Sequence, residues 1–125
     1  MPGAWERRLP ADGAAMPFAA LATDPEPTRA ELDALDGPAL IEFGTSWCGV
    51  SRAAQPLIAG ALAAHPQVRH LKVEDGSGRA LGRSFGVKLW PTLVFLNYGR
   101  EVARLVRPRN APAVENALAR IDPPA

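Results

Sequence analysis

One cysteine occurs in this 125-residue chain, Cys48, within the run Trp47-Cys48-Gly49-Val50-Ser51 and directly after a hydrophobic, strand-like stretch. A thiol at a strand-to-helix junction lies among unpaired backbone N–H groups and the positive end of the helix dipole, both of which favour the thiolate. The thiolate is the form that attacks disulfides. Three positions on, where a two-cysteine redox motif places its second thiol, the residue is Ser51. Its hydroxyl suits the first turn of a helix and can also donate to a Cys48 thiolate. The motif carries half of a dithiol reaction.

Other residues with chemical potential surround this motif. Glu42 interrupts the apolar run Ala39 to Phe43, so it either turns to solvent or is buried with a partner; burial in general makes a carboxylate hold its proton more tightly, which suits proton shuttling. Trp47, Val50 and Trp90 are large apolar side chains that can form a docking surface around the thiol. Arg100, Arg104, Arg107 and Arg109 cluster near a predicted hairpin and read as a solvated face, or as charges that keep a sheet edge from pairing. His65 and His70 have no ligand cluster beside them in sequence, so no metal site is expected.

Composition narrows the class. Hydrophobic residues make up 47% of the chain, as in globular proteins, and the formal net charge of +1 gives no case for nucleic acid or an anionic membrane as partner. A lone cysteine excludes an internal disulfide framework and a cysteine-based zinc site. No apolar run approaches a membrane span. Arg7 and Arg8 are followed by Pro10, Asp12, Gly13 and Pro17, a poor signal-peptide core, so a cytoplasmic location is the default expectation. Met16 is a second candidate start.

These residues need a scaffold, and the patterning supplies one. Residues 1–17, rich in Ala, Pro and Gly, read as a flexible tail, residues 18–122 as one domain, and 123–125 as a C-terminal tail. Phe18 to Thr23 is a candidate edge strand. Thr28-Arg29-Ala30-Glu31 is a capping box opening a short helix with Leu32 and Leu35 on its apolar side, stopped by Asp36-Gly37-Pro38. Ala39 to Phe43 reads as a buried strand. Ala54, Leu57, Ile58, Ala61 and Leu62 give Val50 to Ala64 a helical period, with Pro56 inside it. Val68 to Val73 is the next strand and Ala80 to Phe85 a short helix. Thr92 to Leu96 and Glu101 to Val106 flank the turn Asn97-Tyr98-Gly99 as a hairpin. Ala111 to Ile121 is an amphipathic closing helix using Val114, Leu118 and Ile121. The order βαβαβαββα predicts a three-layer α/β/α domain around a central mixed sheet.

A helix begun at Cys48 with Pro56 inside it, and Trp90-Pro91-Thr92 before a strand, together resemble the thioredoxin family from about Phe18 to Ile121. The family's WCxxC motif corresponds to Trp47-Cys48-Gly49-Val50-Ser51, a monothiol WCxxS version. Its helix proline corresponds to Pro56, its buried acid to Glu42, the lysine facing that acid to Lys72, its cis-proline to Pro91 and its hairpin glycine to Gly99. The resemblance implies the thioredoxin-like fold and thiol–disulfide oxidoreductase chemistry. Cys48 would attack, Ser51 would stand where the resolving thiol belongs, and Glu42 with Lys72 would manage protons. Trp47, Gly49, Val50, Trp90 and Pro91 would bind the client, with the Trp90 backbone held open for an extended segment. Here the acid is a glutamate where the family usually has an aspartate, and Ser51 offers no second thiol for it to serve. The implied partners are disulfide- or thiol-bearing client proteins plus an external thiol or reductase for release. No cofactor is implied, and the chain is expected to act as a monomer. Two alternatives are a non-catalytic module that captures thiol-bearing clients and a monothiol glutaredoxin-like protein using glutathione and an iron–sulfur cluster. The Trp47 and Val50-Ser51 flanks fit the thioredoxin-like motif better than the latter.

Overall fold

Residues 26–45 and 47–123 are described by the computed structural model. The expected tail at 1–17, the candidate strand Phe18–Thr23 and the last two residues of the chain lie outside these. From the first helix on, the elements are α1 (Arg29–Asp33), β1 (Pro38–Gly44), α2 (Gly49–Leu62), β2 (Arg69–Glu74), α3 (Ala80–Ser84), β3 (Thr92–Asn97), β4 (Arg100–Val106) and α4 (Ala111–Ile121).

Local chemistry sets the ends of these elements. Thr28 Oγ1 accepts the Glu31 N–H at 3.0 Å while the Glu31 carboxylate accepts the Thr28 N–H at 2.9 Å, a complete capping box that satisfies two otherwise orphaned donors. Asn110 caps α4 in a similar way, accepting from the Ala113 N–H at 2.9 Å. The β3–β4 hairpin turns through Tyr98 and Gly99, at φ 51° and 78°, the pair of left-handed residues that matches strand twist. Gly99 is constrained twice: besides its φ, a Cβ there would run into the backbone carbonyl of Asp33 at the end of α1. Pro56, on the solvent side of α2, removes the donor that would bond the Arg52 carbonyl, yet the helix continues to Leu62.

The four strands lie in the order β2-β1-β3-β4. β1 and β2 run parallel, whereas β1–β3 and β3–β4 are antiparallel, so the sheet is mixed. Alternation along β1 sends Ala39, Ile41 and Phe43 into one core with Leu32 and Leu35 before the sheet and Leu81 and Phe85 around α3. It sends Leu40 to the other face, among Ala54, Ile58 and Ala61 of α2 and Val114, Leu118 and Ile121 of α4. Each fully buried aliphatic side chain contributes about 1.5–3 kcal/mol relative to exposure. Helices therefore cover both faces of one sheet, in the thioredoxin-like arrangement. Among the described residues, no helix is long and apolar enough to cross a membrane.

Candidate active site

Cys48 is the N-cap of α2. Its backbone is extended, at φ −81° and ψ 120°, and its carbonyl already accepts the Arg52 N–H at 3.0 Å. The thiol is half-buried at the carboxyl end of β1, where the free N–H groups of the first helical turn converge. Its pKa is lowered, first by the Ser51 backbone N–H and then by the Ser51 hydroxyl, the Val50 N–H and the positive charge of Arg107; partial burial pushes the other way and is outweighed. Ser51 is fully buried, and its Oγ lies within no hydrogen-bond distance and angle of a described partner. A buried hydroxyl with unused capacity, one helical turn from the sulfur, gains its partner when the proton leaves.

A thiol whose folded pKa is depressed adds stability above the unfolded value, and that contribution is lost as pH falls through the folded pKa. Alkylation by iodoacetamide is expected to rise with a midpoint below the ordinary cysteine value of about 8.5. Because the leading causes are hydrogen bonds rather than a distant charge, added salt should move that midpoint only slightly. A midpoint at or above the ordinary value would remove the case for an activated thiol.

Beside the thiol stands an aromatic wall. The Trp47 and Trp90 rings meet edge to face, with centroids 5.5 Å apart and planes at 86°. Trp47 is 68% exposed, whereas Trp90 is half-buried and its indole N–H donates to Asp75 Oδ2 at 2.8 Å. Asp75 follows β2 directly, its own N–H bonded to the Gly44 carbonyl at 3.0 Å. Its carboxylate lies where a side chain at Gly82 would be, so glycine in α3 makes room for the acid that anchors Trp90. The Trp90-Pro91 peptide is cis. Val50, exposed on the first turn of α2, and Leu89 and Val106, exposed near the Trp90-Pro91 step, complete an apolar rim. Leu89 and Asp75, outside strand ends, and Val106, the last residue of β4, had no mark in the sequence as site residues beyond that placement, near where sites in α/β sheets gather.

Behind the site, Glu42 is fully buried on the α2 face of β1. Gln55 Nε2 donates to Glu42 Oε2 at 2.6 Å and to the Ser51 carbonyl at 2.8 Å, which fixes its amide orientation because both partners are acceptors. His70 Nε2 lies 2.8 Å from Glu42 Oε1. Lys72 is the direct register partner of Glu42 across β1–β2 and is half-buried. The sequence offers His70 neither a ligand cluster nor a role; the parallel register gives it one, because His70 and Lys72 share the face of Leu40 and Glu42. Glu42 is thereby tied through Gln55 to the backbone of the residue opposite the thiol. No group of three or more metal-ligating side chains occurs among the described residues. The Arg104 guanidinium forms a bidentate pair with Glu101, at 2.8 Å for each bond, so this member of the arginine cluster is engaged on the sheet edge. His65, the other histidine, pairs with Asp122 at 2.8 Å, far along the chain from the thiol.

Comparison with known proteins places this geometry. A family model described as thioredoxin matches residues 21–120. Thioredoxin H-type 1 of Nicotiana tabacum is 34% identical over 67 residues, which is 54% of this chain and 53% of that protein. Thioredoxin C-3 of Corynebacterium nephridii is 34% identical over 70 residues, 56% of this chain and 48% of the relative. The aligned stretch thus spans about half the length of these two curated relatives. Among solved structures, thioredoxin 2 from Pseudomonas aeruginosa in its reduced form is 63% identical with a TM-score of 0.69, covering 75% of this chain and 87% of that one. Mitochondrial thioredoxin 3 of Saccharomyces cerevisiae, at 24% identity and a TM-score of 0.61 over 70% of this chain and 81% of that one, shares the fold.

Proposed function

The chain belongs to the thioredoxin family, and on that premise we propose that it exchanges disulfides with client proteins through a single thiol. The Cys48 thiolate attacks a client disulfide. A Cys48–client S–S bond forms, the client's S–S bond breaks, and the departing client thiolate takes a proton from water. Ser51 cannot attack the mixed disulfide, so release comes from an external thiol or reductase, or from the client's own second cysteine. The last route rearranges the client's disulfides without net reduction. Trp47, Gly49, Val50, Trp90 and Pro91 form the surface against which the client segment lies. Glu42 and Lys72 are proton-managing groups inherited with the scaffold, for which Ser51 leaves no second thiol to serve. The chemistry suits a reducing, cytoplasmic setting where small thiols free the client.

The observation that carries this reading is the acidified Cys48 at the start of α2 with the serine hydroxyl one turn on. A cysteine that merely packs in a core has neither the donors nor the exposure. The test is incubation of the protein with a peptide disulfide, followed by mass spectrometry. One peptide adduct per chain is expected, removed by glutathione and absent in Cys48→Ala. An adduct that never forms, with the thiol still reactive toward iodoacetamide, would exclude exchange. An adduct that resists glutathione would favour a capture module.

A further inference from the structure

The Trp90 carbonyl, which the family resemblance leaves open for an extended client, is engaged by the protein itself. Arg107 Nε donates to it at 2.9 Å, and the Arg107 backbone N–H donates to the neighbouring Pro91 carbonyl at 2.9 Å. Arg107 holds this position at φ 52°, in the left-handed region that L side chains seldom adopt. The backbone bond is open to any residue but proline; the Nε bond to the Trp90 carbonyl is the one that an arginine adds. A guanidinium has five N–H donors. Only one is used here, and the remaining four meet no acceptor among the described residues, while the side chain is exposed. The rim around the thiol is apolar at Trp47, Val50, Leu89 and Val106. The acid of this wall, Asp75, is committed to the Trp90 indole. The positive charge is felt at the thiol, since Arg107 is among the groups that lower the Cys48 pKa.

We propose that Arg107 is a specificity-determining residue of the Cys48 site, receiving a carboxylate carried beside the client's reacting sulfur, so that acidic clients are preferred. The inference rests on the exchange reading above and names its substrate class. A planar fork with free donors pairs with a carboxylate in two parallel bonds, whereas a basic client segment meets an unopposed cation. A neutral strand seeking the Trp90 carbonyl must share it with the side chain already there. An acidic client uses that side chain in place.

The experiment compares the full chain with Arg107→Gly, which accepts the same backbone angle, and Arg107→Lys, which keeps the charge without the fork. Cys48 is alkylated with anionic iodoacetate and neutral iodoacetamide at low ionic strength, and the ratio of the two rates cancels changes in thiolate fraction. Mixed-disulfide formation is then timed with two matched peptide disulfides bearing Glu or Lys beside the cysteine. The preference for the anionic reagent and for the Glu peptide is expected to fall about two- to fivefold in Arg107→Gly, the range for exposed charge pairs. It should fall to an intermediate value in Arg107→Lys, which keeps the charge and loses the parallel bonds, and fade for all three proteins in about 1 M salt. Unchanged preferences in Arg107→Gly would overturn the proposal, as would a changed alkylation ratio with no change between the peptides. If neither peptide forms a mixed disulfide, the exchange reading fails on its own, because the alkylation ratio still reports whether Arg107 draws anions to the thiol.

Discussion

Ser51→Cys is expected to convert a protein that stalls at the mixed disulfide into one that turns over. The substituted position is fully buried on the first turn of α2, one helical turn from Cys48, and its backbone N–H already points at the sulfur. The introduced thiolate attacks the Cys48 sulfur of the mixed disulfide. An internal S–S bond forms, the Cys48–client bond breaks, and the client departs reduced by two electrons while the protein is oxidised by two. Because the attack is intramolecular, with effective concentrations that can reach about 10⁵ M or more, client release should be at least about tenfold faster than with millimolar external thiol. The assay is dithiothreitol-driven reduction of a protein disulfide by the two chains in parallel. Glu42 then has a thiol to serve: Glu42→Gln should slow release in the Ser51→Cys background and barely change the rate of the unsubstituted protein. If Ser51→Cys forms no internal disulfide and reduces substrate no faster, the scaffold is not built for exchange, and client capture becomes the better account.

Removing His70 should be among the most damaging single changes for stability. Its side chain is 3% exposed and bonds a Glu42 side chain that is 0% exposed, so His70→Leu leaves one carboxylate oxygen buried without this donor. Leaving one member of such a buried hydrogen-bonded pair without its partner costs about 1–3 kcal/mol, and more for a charged group. Replacing both partners with leucine should restore most of the loss, because no buried carboxylate then remains and Gln55 keeps its bond to the Ser51 carbonyl. Urea unfolding of the two single variants and the double variant measures this as a cycle. A His70→Leu cost below about 1 kcal/mol, no larger than a typical single hydrogen bond, would mean that Glu42 is adequately held by its other neighbours. The change also offers a functional reading. If Gln55 transmits the position of Glu42 to the first turn of α2, His70→Leu should shift the pH midpoint of Cys48 alkylation as well as the unfolding curve.

What this chain's order alone determines is local and periodic. The capping box at Thr28, the left-handed turn at Tyr98-Gly99, the alternation of β1 and the helical spacing from Ala54 to Leu62 are properties of neighbours, and each element formed where those neighbours required. The thiol's character was legible for the same reason, because the donors that acidify Cys48 are the next backbone groups in its own helix. The rest depended on register and topology. From its apolar flanks Glu42 reads either as a solvent-facing acid or as a buried one with a partner, and the fold decides for burial. That His70 and Gln55 hold it is decided only when β1 pairs with β2 and α2 lies across that face. Asp75 reaches Trp90 only because the sheet brings the ends of β2 and the Pro91 loop together over the space left at Gly82. Arg107 looks in sequence like one more cation in a hairpin cluster. Pairing of Thr92 with Val106, the last residue of β4, sets Arg107 just beyond it against the Trp90-Pro91 step, and so beside the thiol. Side chains separated by tens of residues meet through hydrogen-bonded register, and no propensity or spacing along the chain encodes which of them will touch.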